Sequence, residues 1–164
     1  MSMATQNSTH TLHAEAALNQ ESHRVLIVDD EPAICFAYRK LLECERFNFD
    51  ICETVEAAIS LLQKETYFAV ISDVRFGGSS DEEGVYLATV VRREQPESKM
   101  ILVTGYGSDE LKSTAYELGV SHYFEKPVKP SLILTLLRAL HVIADEVDEN
   151  KYLMSILLTN TSLS

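Results

Sequence analysis

Val25-Leu26-Ile27-Val28-Asp29-Asp30-Glu31-Pro32 is the stretch that decides the fold. Four apolar residues run unbroken into acids, and a proline follows. A short continuous apolar run bounded by polar residues reads as a strand buried on both faces. Proline suits the first turn of a helix, where its missing N–H costs nothing. The pattern returns at Phe68-Ala69-Val70-Ile71, with Asp73 following Ser72. Carboxylates at the C-terminal ends of two such strands would meet at one edge of a parallel sheet, where open α/β sheets place their sites. Three carboxylates gathered there repel one another unless a cation sits among them, and an all-oxygen donor set suits Mg²⁺.

Outward from these runs, strand-like and helix-like segments alternate. Ile34, Ala37, Tyr38 and Leu41 have helical spacing behind Pro32, and Phe47, Phe49 and Ile51 alternate as in a strand. Thr54 is placed to cap a helix whose inward face is Val55, Ala58, Ile59 and Leu62. Beyond Asp73, Ser80 and Glu83 have capping-box spacing, so a helix should begin there and carry Leu87, Val90 and Val91 inward. Met100–Val103 reads as the fourth strand, closed by Thr104-Gly105-Tyr106-Gly107. Ser108 would cap a helix bearing Leu111, Ala115 and Leu118, stopped by Gly119. His122-Tyr123-Phe124 is a short fifth strand, and Pro130 opens a helix with Leu136, Ala139, Leu140 and Ile143 on one face. Five βα repeats imply a doubly wound parallel α/β sheet with helices on both faces.

At 164 residues and 46% apolar content, the chain is long enough to bury a core. Its net charge of −11 argues against a nucleic-acid surface or an anionic-membrane surface. No apolar run is long enough to span a bilayer, and the N-terminus lacks the basic start and apolar stretch of a secretory signal. Cys35, Cys44 and Cys52 show no metal-type spacing and make an odd count, which fits reduced thiols in the cytoplasm. Residues 1–22 are polar and read as a flexible tail. The domain is expected over 23–146. Residues 147–164 form a C-terminal tail, too short for an output domain, with Leu153, Ile156 and Leu157 on one helical face. That face would bury against its own domain, pair with a second copy in a homodimer, or stay solvated.

Four separated elements carry a resemblance: Asp29-Asp30 after the first strand, Asp73 after the third, Thr104-Gly105 after the fourth and Lys126-Pro127 after the fifth. In that order they resemble the receiver domain of two-component response regulators, here of the stand-alone kind. The resemblance implies a flavodoxin-like (βα)5 fold with strand order 2-1-3-4-5. It implies that Asp73 is the phosphoacceptor for a phosphohistidine on a sensor histidine kinase or histidine phosphotransfer protein. Asp30 and Asp73 would supply oxygens to Mg²⁺, Asp29 would act through a water of the ion's shell, and the Arg75 carbonyl would be a further ligand. Lys126 and Thr104 would bind phosphoryl oxygens, Tyr123 would be the switch aromatic, and Pro127 would follow a cis peptide. The protein would be a signalling phosphoacceptor rather than an enzyme, reporting to a downstream protein partner.

The loop after Asp73 departs from the family. Phe76 and Gly77 stand where most receivers have Met-Pro, and Gly84 comes about three residues later than the family's helix-three glycine. Arg75 and Tyr106 occupy positions that in the family modulate dephosphorylation, and both are bulky, which implies a long-lived phosphoryl group. The competing expectation is a receiver-like interaction module that phosphorylation does not regulate. An aspartyl-phosphate phosphatase would carry Asp-x-Asp after the first strand, which Asp29-Asp30-Glu31 lacks. Flavin binding has no residue to support it.

Overall fold

The structure, a computed structural model, describes residues 24–45, 47–73, 82–105, 107–142, 144 and 150. Strands Arg24–Val28 (β1), Asn48–Cys52 (β2), Ala69–Asp73 (β3), Lys99–Thr104 (β4) and His122–Glu125 (β5) form one parallel sheet in the order β2-β1-β3-β4-β5. Helices Pro32–Glu43 (α1), Val55–Leu62 (α2), Glu82–Glu94 (α3) and Asp109–Glu117 (α4) fill the crossovers. Residues 130–142 are helical (α5). This is the flavodoxin-like order expected. The chain divides into two compact units with the boundary after Pro130.

The central strands are buried because their apolar runs are unbroken. Val25, Leu26, Ile27 and Val28 are 0% exposed, as are Ala69 and Val70. Edge strand β2 is only half-buried along most of its length. A core of Leu26, Val28, Val70 and Leu102 meets Val55, Ala58 and Leu62 of α2 and Leu87, Ala88, Val90 and Val91 of α3.

The expected helix signals hold at three points. Thr54 accepts a hydrogen bond from the Ala57 N–H at 3.2 Å, and Ser108 accepts one from Leu111 at 3.0 Å. Gly119 ends α4 with φ +89, a conformation that strains any residue with a Cβ. The apolar residues of two helices are buried unequally. In α1 the buried residues are Tyr38 and Leu42, while Ile34, Ala37 and Leu41 are half-buried. In α5 the buried residues are Ile133, Leu134 and Leu137; Leu136 and Leu140 are half-buried, Ala139 is exposed, and Ile143 lies outside the described residues. Leucine, isoleucine and alanine occupy nearly every side of that helix, so the 3.6-residue period does not single out one stripe. The expected capping box at Ser80, residues 1–22 and nearly all of the C-terminal tail also lie outside the described residues.

Gln95, just past α3, ties three backbone groups together. Its Oε1 accepts from the Tyr67 N–H at 2.8 Å, and its Nε2 donates to the carbonyls of Leu62 at 2.9 Å and Glu65 at 2.7 Å. Nearby, Asp50 Oδ2 takes Arg24 Nη1 at 2.6 Å and the Tyr67 hydroxyl at 2.8 Å. Truncating Gln95 strands three backbone groups at once. Gln95→Ala is therefore expected to cost about 2–3 kcal/mol in urea unfolding. Gln95→Glu keeps the acceptor but loses both donors and should fall between it and wild type. A cost under about 0.5 kcal/mol for Gln95→Ala would show that water replaces the side chain.

Candidate functional site

The parallel register builds the site. Val28 pairs with Ser72, so the next residues, Asp29 and Asp73, emerge side by side from β1 and β3. Asp73 pairs with Val103, and Thr104 with Glu125, which brings the ends of β4 and β5 to the same edge. One carboxylate oxygen from each of Asp29, Asp30 and Asp73 lies within 4.8 Å of the others. Asp29 and Asp73 are 5% and 6% exposed, and Asp30 is exposed. Lys126, directly after β5, extends its ammonium to Asp73 Oδ2 at 2.9 Å and lies 3.5 Å from Glu31 Oε1. The Lys126 N–H donates to the Thr104 carbonyl at 2.6 Å, which fastens the loop after β5 to the end of β4. The Lys126–Pro127 peptide is cis.

Asp29 is fixed from several sides. Its N–H donates to the Cys52 carbonyl at 3.1 Å, its Oδ1 accepts from the Glu31 N–H at 2.9 Å, and its carbonyl accepts from the Cys35 thiol at 3.0 Å. Burial pushes the Asp29 carboxyl up to about 6. The Glu31 N–H and Lys126 oppose that rise, while the charges of Asp73 and Glu31 add to it. For Lys126, burial pulls downward, but the hydrogen bond to Asp73 and the charges of Asp73, Asp29 and Glu31 outweigh it, leaving the ammonium above its usual range. Burial also raises the Tyr38 phenol, with the charges of Asp29 and Asp73 adding to the effect.

Thr104 is fully buried at the end of β4 rather than in the turn, and Tyr123 is 9% exposed and belongs to the core cluster. A Cβ on Gly107 would stand 3.0 Å from Tyr123 Oη and 3.0 Å from Glu125 Oε1, so the loop after β4 passes close over that phenol. Arg75 and Tyr106 lie outside the described residues. Two residues at the site escaped the sequence reading: Glu31 and Tyr38. Both line a cavity of about 370 Å³ together with Asp29, Asp73 and Lys126. Glu31 was legible as a third consecutive acid before Pro32, whereas nothing local marks Tyr38.

Among the described residues, the three clustered carboxylates and Glu31 face the one ammonium of Lys126, a local excess of negative charge. Hard oxygen donors within 4.8 Å of one another form a group that could hold a metal ion, and the raised Asp29 is the strain that such an ion would relieve. Among the described residues, no helix is long and apolar enough to cross a membrane.

Comparison with known proteins agrees. The profile of the response regulator receiver domain matches residues 25–138. An NtrX-like response regulator of Rickettsia bellii is 30% identical over 139 residues, 85% of this chain but 29% of that protein. The acid tolerance regulatory protein ActR of Rhizobium meliloti is 31% identical over 136 residues, 83% of this chain and 67% of that protein. The chain thus spans under a third of the NtrX-like relative's length. Among solved structures, a CheY-like receiver domain protein from Methanospirillum hungatei superposes with a TM-score of 0.68 at 26% identity, covering 75% of this chain and 96% of that one. Sheet order, the acids that the register gathers at its edge, and the matched span agree on one conclusion: the chain belongs to the response regulator receiver domain family.

Proposed function

We infer that this protein accepts a phosphoryl group on Asp73 in two-component signalling or a phosphorelay. The observation that carries the reading is the 2.9 Å contact of Lys126 Nζ with Asp73 Oδ2 inside the three-carboxylate cluster. An Asp73 carboxylate oxygen attacks phosphorus, forming an O–P bond. The P–N bond of a phosphohistidine breaks, and the imidazole nitrogen keeps the bonding pair. The donor is a sensor histidine kinase or a histidine phosphotransfer protein, and the reaction belongs in the cytoplasm. Positioning and charge neutralisation dominate such a transfer. Asp29, Asp30 and Asp73, with the Arg75 carbonyl, would hold Mg²⁺, which when bound supplies positive charge for the phosphoryl oxygens. Lys126 offers its ammonium to one of those oxygens and Thr104 its hydroxyl to another.

The new charge on Asp73 changes what Lys126 and Thr104 bind, and Tyr123 answers by changing rotamer beneath the loop at Gly107. That change would alter affinity for a downstream protein partner or for a second copy of the chain. The donor would dock near α1 and residues 127–130.

The test is intact mass after incubation with Mg²⁺ and acetyl phosphate. Wild type is expected to gain one phosphoryl group, which does not form when Mg²⁺ is chelated beforehand, and Asp73→Asn to gain none. An adduct on Asp73→Asn equal to that on wild type would overturn the assignment. Failure of wild type to load from either acetyl phosphate or a phosphorylated histidine phosphotransfer protein would favour an interaction module that phosphorylation does not regulate.

A further inference from the structure

Glu31 uses three of its groups where α1 begins. Its N–H donates to Asp29 Oδ1 at 2.9 Å. Its carbonyl accepts from the N–H groups of Ile34 and Cys35, each at 3.0 Å. Its carboxylate lies 3.5 Å from Lys126 Nζ. The Glu31 side chain is 59% exposed and that of Asp73 is 7% exposed, so the same ammonium is held by a buried acid and by one facing solvent. Glu31, Asp73 and Lys126 line one cavity.

We propose that Glu31 is a positioning residue that holds Lys126 Nζ at the mouth of the acidic pocket and selects phosphodonors by charge. The inference rests on Asp73 being the phosphoacceptor. The backbone bonds on either side of its Cα fix where the Glu31 carboxylate can reach. An incoming donor brings its negative charge past that carboxylate, and Lys126 must turn from Glu31 to a phosphoryl oxygen as the O–P bond to Asp73 forms. The repulsion grows with the donor's charge. Acetyl phosphate arrives as a dianion and releases acetate. Phosphoramidate arrives as a net monoanion and releases ammonia. Each leaves the same acyl phosphate on Asp73.

Glu31→Gln keeps the length and backbone bonds of the side chain and removes its charge. With Mg²⁺ present, its loading rate from acetyl phosphate is expected to exceed that of wild type by about three- to ten-fold, with a gain under about two-fold from phosphoramidate. Added salt should shrink the acetyl phosphate gain. Glu31→Asp, which keeps the charge, should restore the wild-type ratio between donors. A Mg²⁺ titration without donor, read by tyrosine fluorescence, should move less than about two-fold in Glu31→Gln, because Glu31 stands outside the cluster of Asp29, Asp30 and Asp73. Equal gains from both donors, or no gain from either, would overturn this inference while leaving Asp73 as acceptor. A wild type that loads from neither donor would overturn the function and this inference together.

Discussion

Lys126→Ala is expected to slow phosphoryl loading of Asp73 from acetyl phosphate by about 10²-fold or more at saturating Mg²⁺. The ammonium sits 2.9 Å from the acceptor oxygen with its side chain only 27% exposed, so water screens it poorly. It is preorganised: the Lys126 N–H bond to the Thr104 carbonyl holds its backbone in place before any donor arrives. Removing one preorganised donor from a site of developing charge costs about 10²–10³ in rate. The same substitution should also act on the resting protein. It leaves Asp73, 6% exposed, without that charged partner. It also removes one of the two influences that hold the Asp29 carboxyl down, so that carboxyl rises further. Thermal melting should therefore show a lowered midpoint without Mg²⁺ and a partial recovery with it, since a bound cation restores the missing charge. A loading rate within about three-fold of wild type would show that Lys126 serves the fold and not the transfer.

The second large effect lies in the core. Leu26 is 0% exposed in the middle of β1, between Asp50 of β2 and Val70 of β3, and it packs into the cluster that α2 and α3 cover. Leu26→Ala removes buried methyl groups where strands on both sides prevent collapse of the space. A loss of about 3–5 kcal/mol is expected in urea unfolding, a large share of the ~5–15 kcal/mol typical of a whole domain. Phe36→Ala is the internal comparison: Phe36 is 61% exposed on α1, and its removal should cost within about 0.5 kcal/mol. Comparable losses from the two would contradict the placement of the core.

These contrasts explain what was legible in the sequence. β1, β3 and β4 carry unbroken apolar runs that end at polar residues, and burial on both faces leaves few alternative readings. Once these are strands, the acids at their ends must converge, so Asp29, Asp30 and Asp73 were found without a structure. Thr54, Ser108 and Gly119 were legible because capping is chemistry within four residues of chain. Leu42 and the buried side of α5 were not. An apolar surplus blurs the helical period, and only tertiary packing decides which stripe turns inward. Asp50, Tyr67 and Gln95 were invisible for another reason. Their bonds join residues 17, 26 and 28 or more positions apart, and no local pattern announces such a partner. The Glu31–Lys126 pair belongs to the same class: a helix start and the end of the last strand meet only after the sheet has formed.

Borohydride trapping tests the central claim most directly. An acyl phosphate on an aspartate is reduced to the alcohol, so the phosphorylated residue is converted to homoserine and can be placed by peptide mass. After loading with Mg²⁺ and acetyl phosphate, homoserine is expected at position 73 and at neither Asp29 nor Asp30. Homoserine at Asp29 or Asp30, or none anywhere in a protein whose intact mass shows the phosphoryl group, would contradict Asp73 as the acceptor.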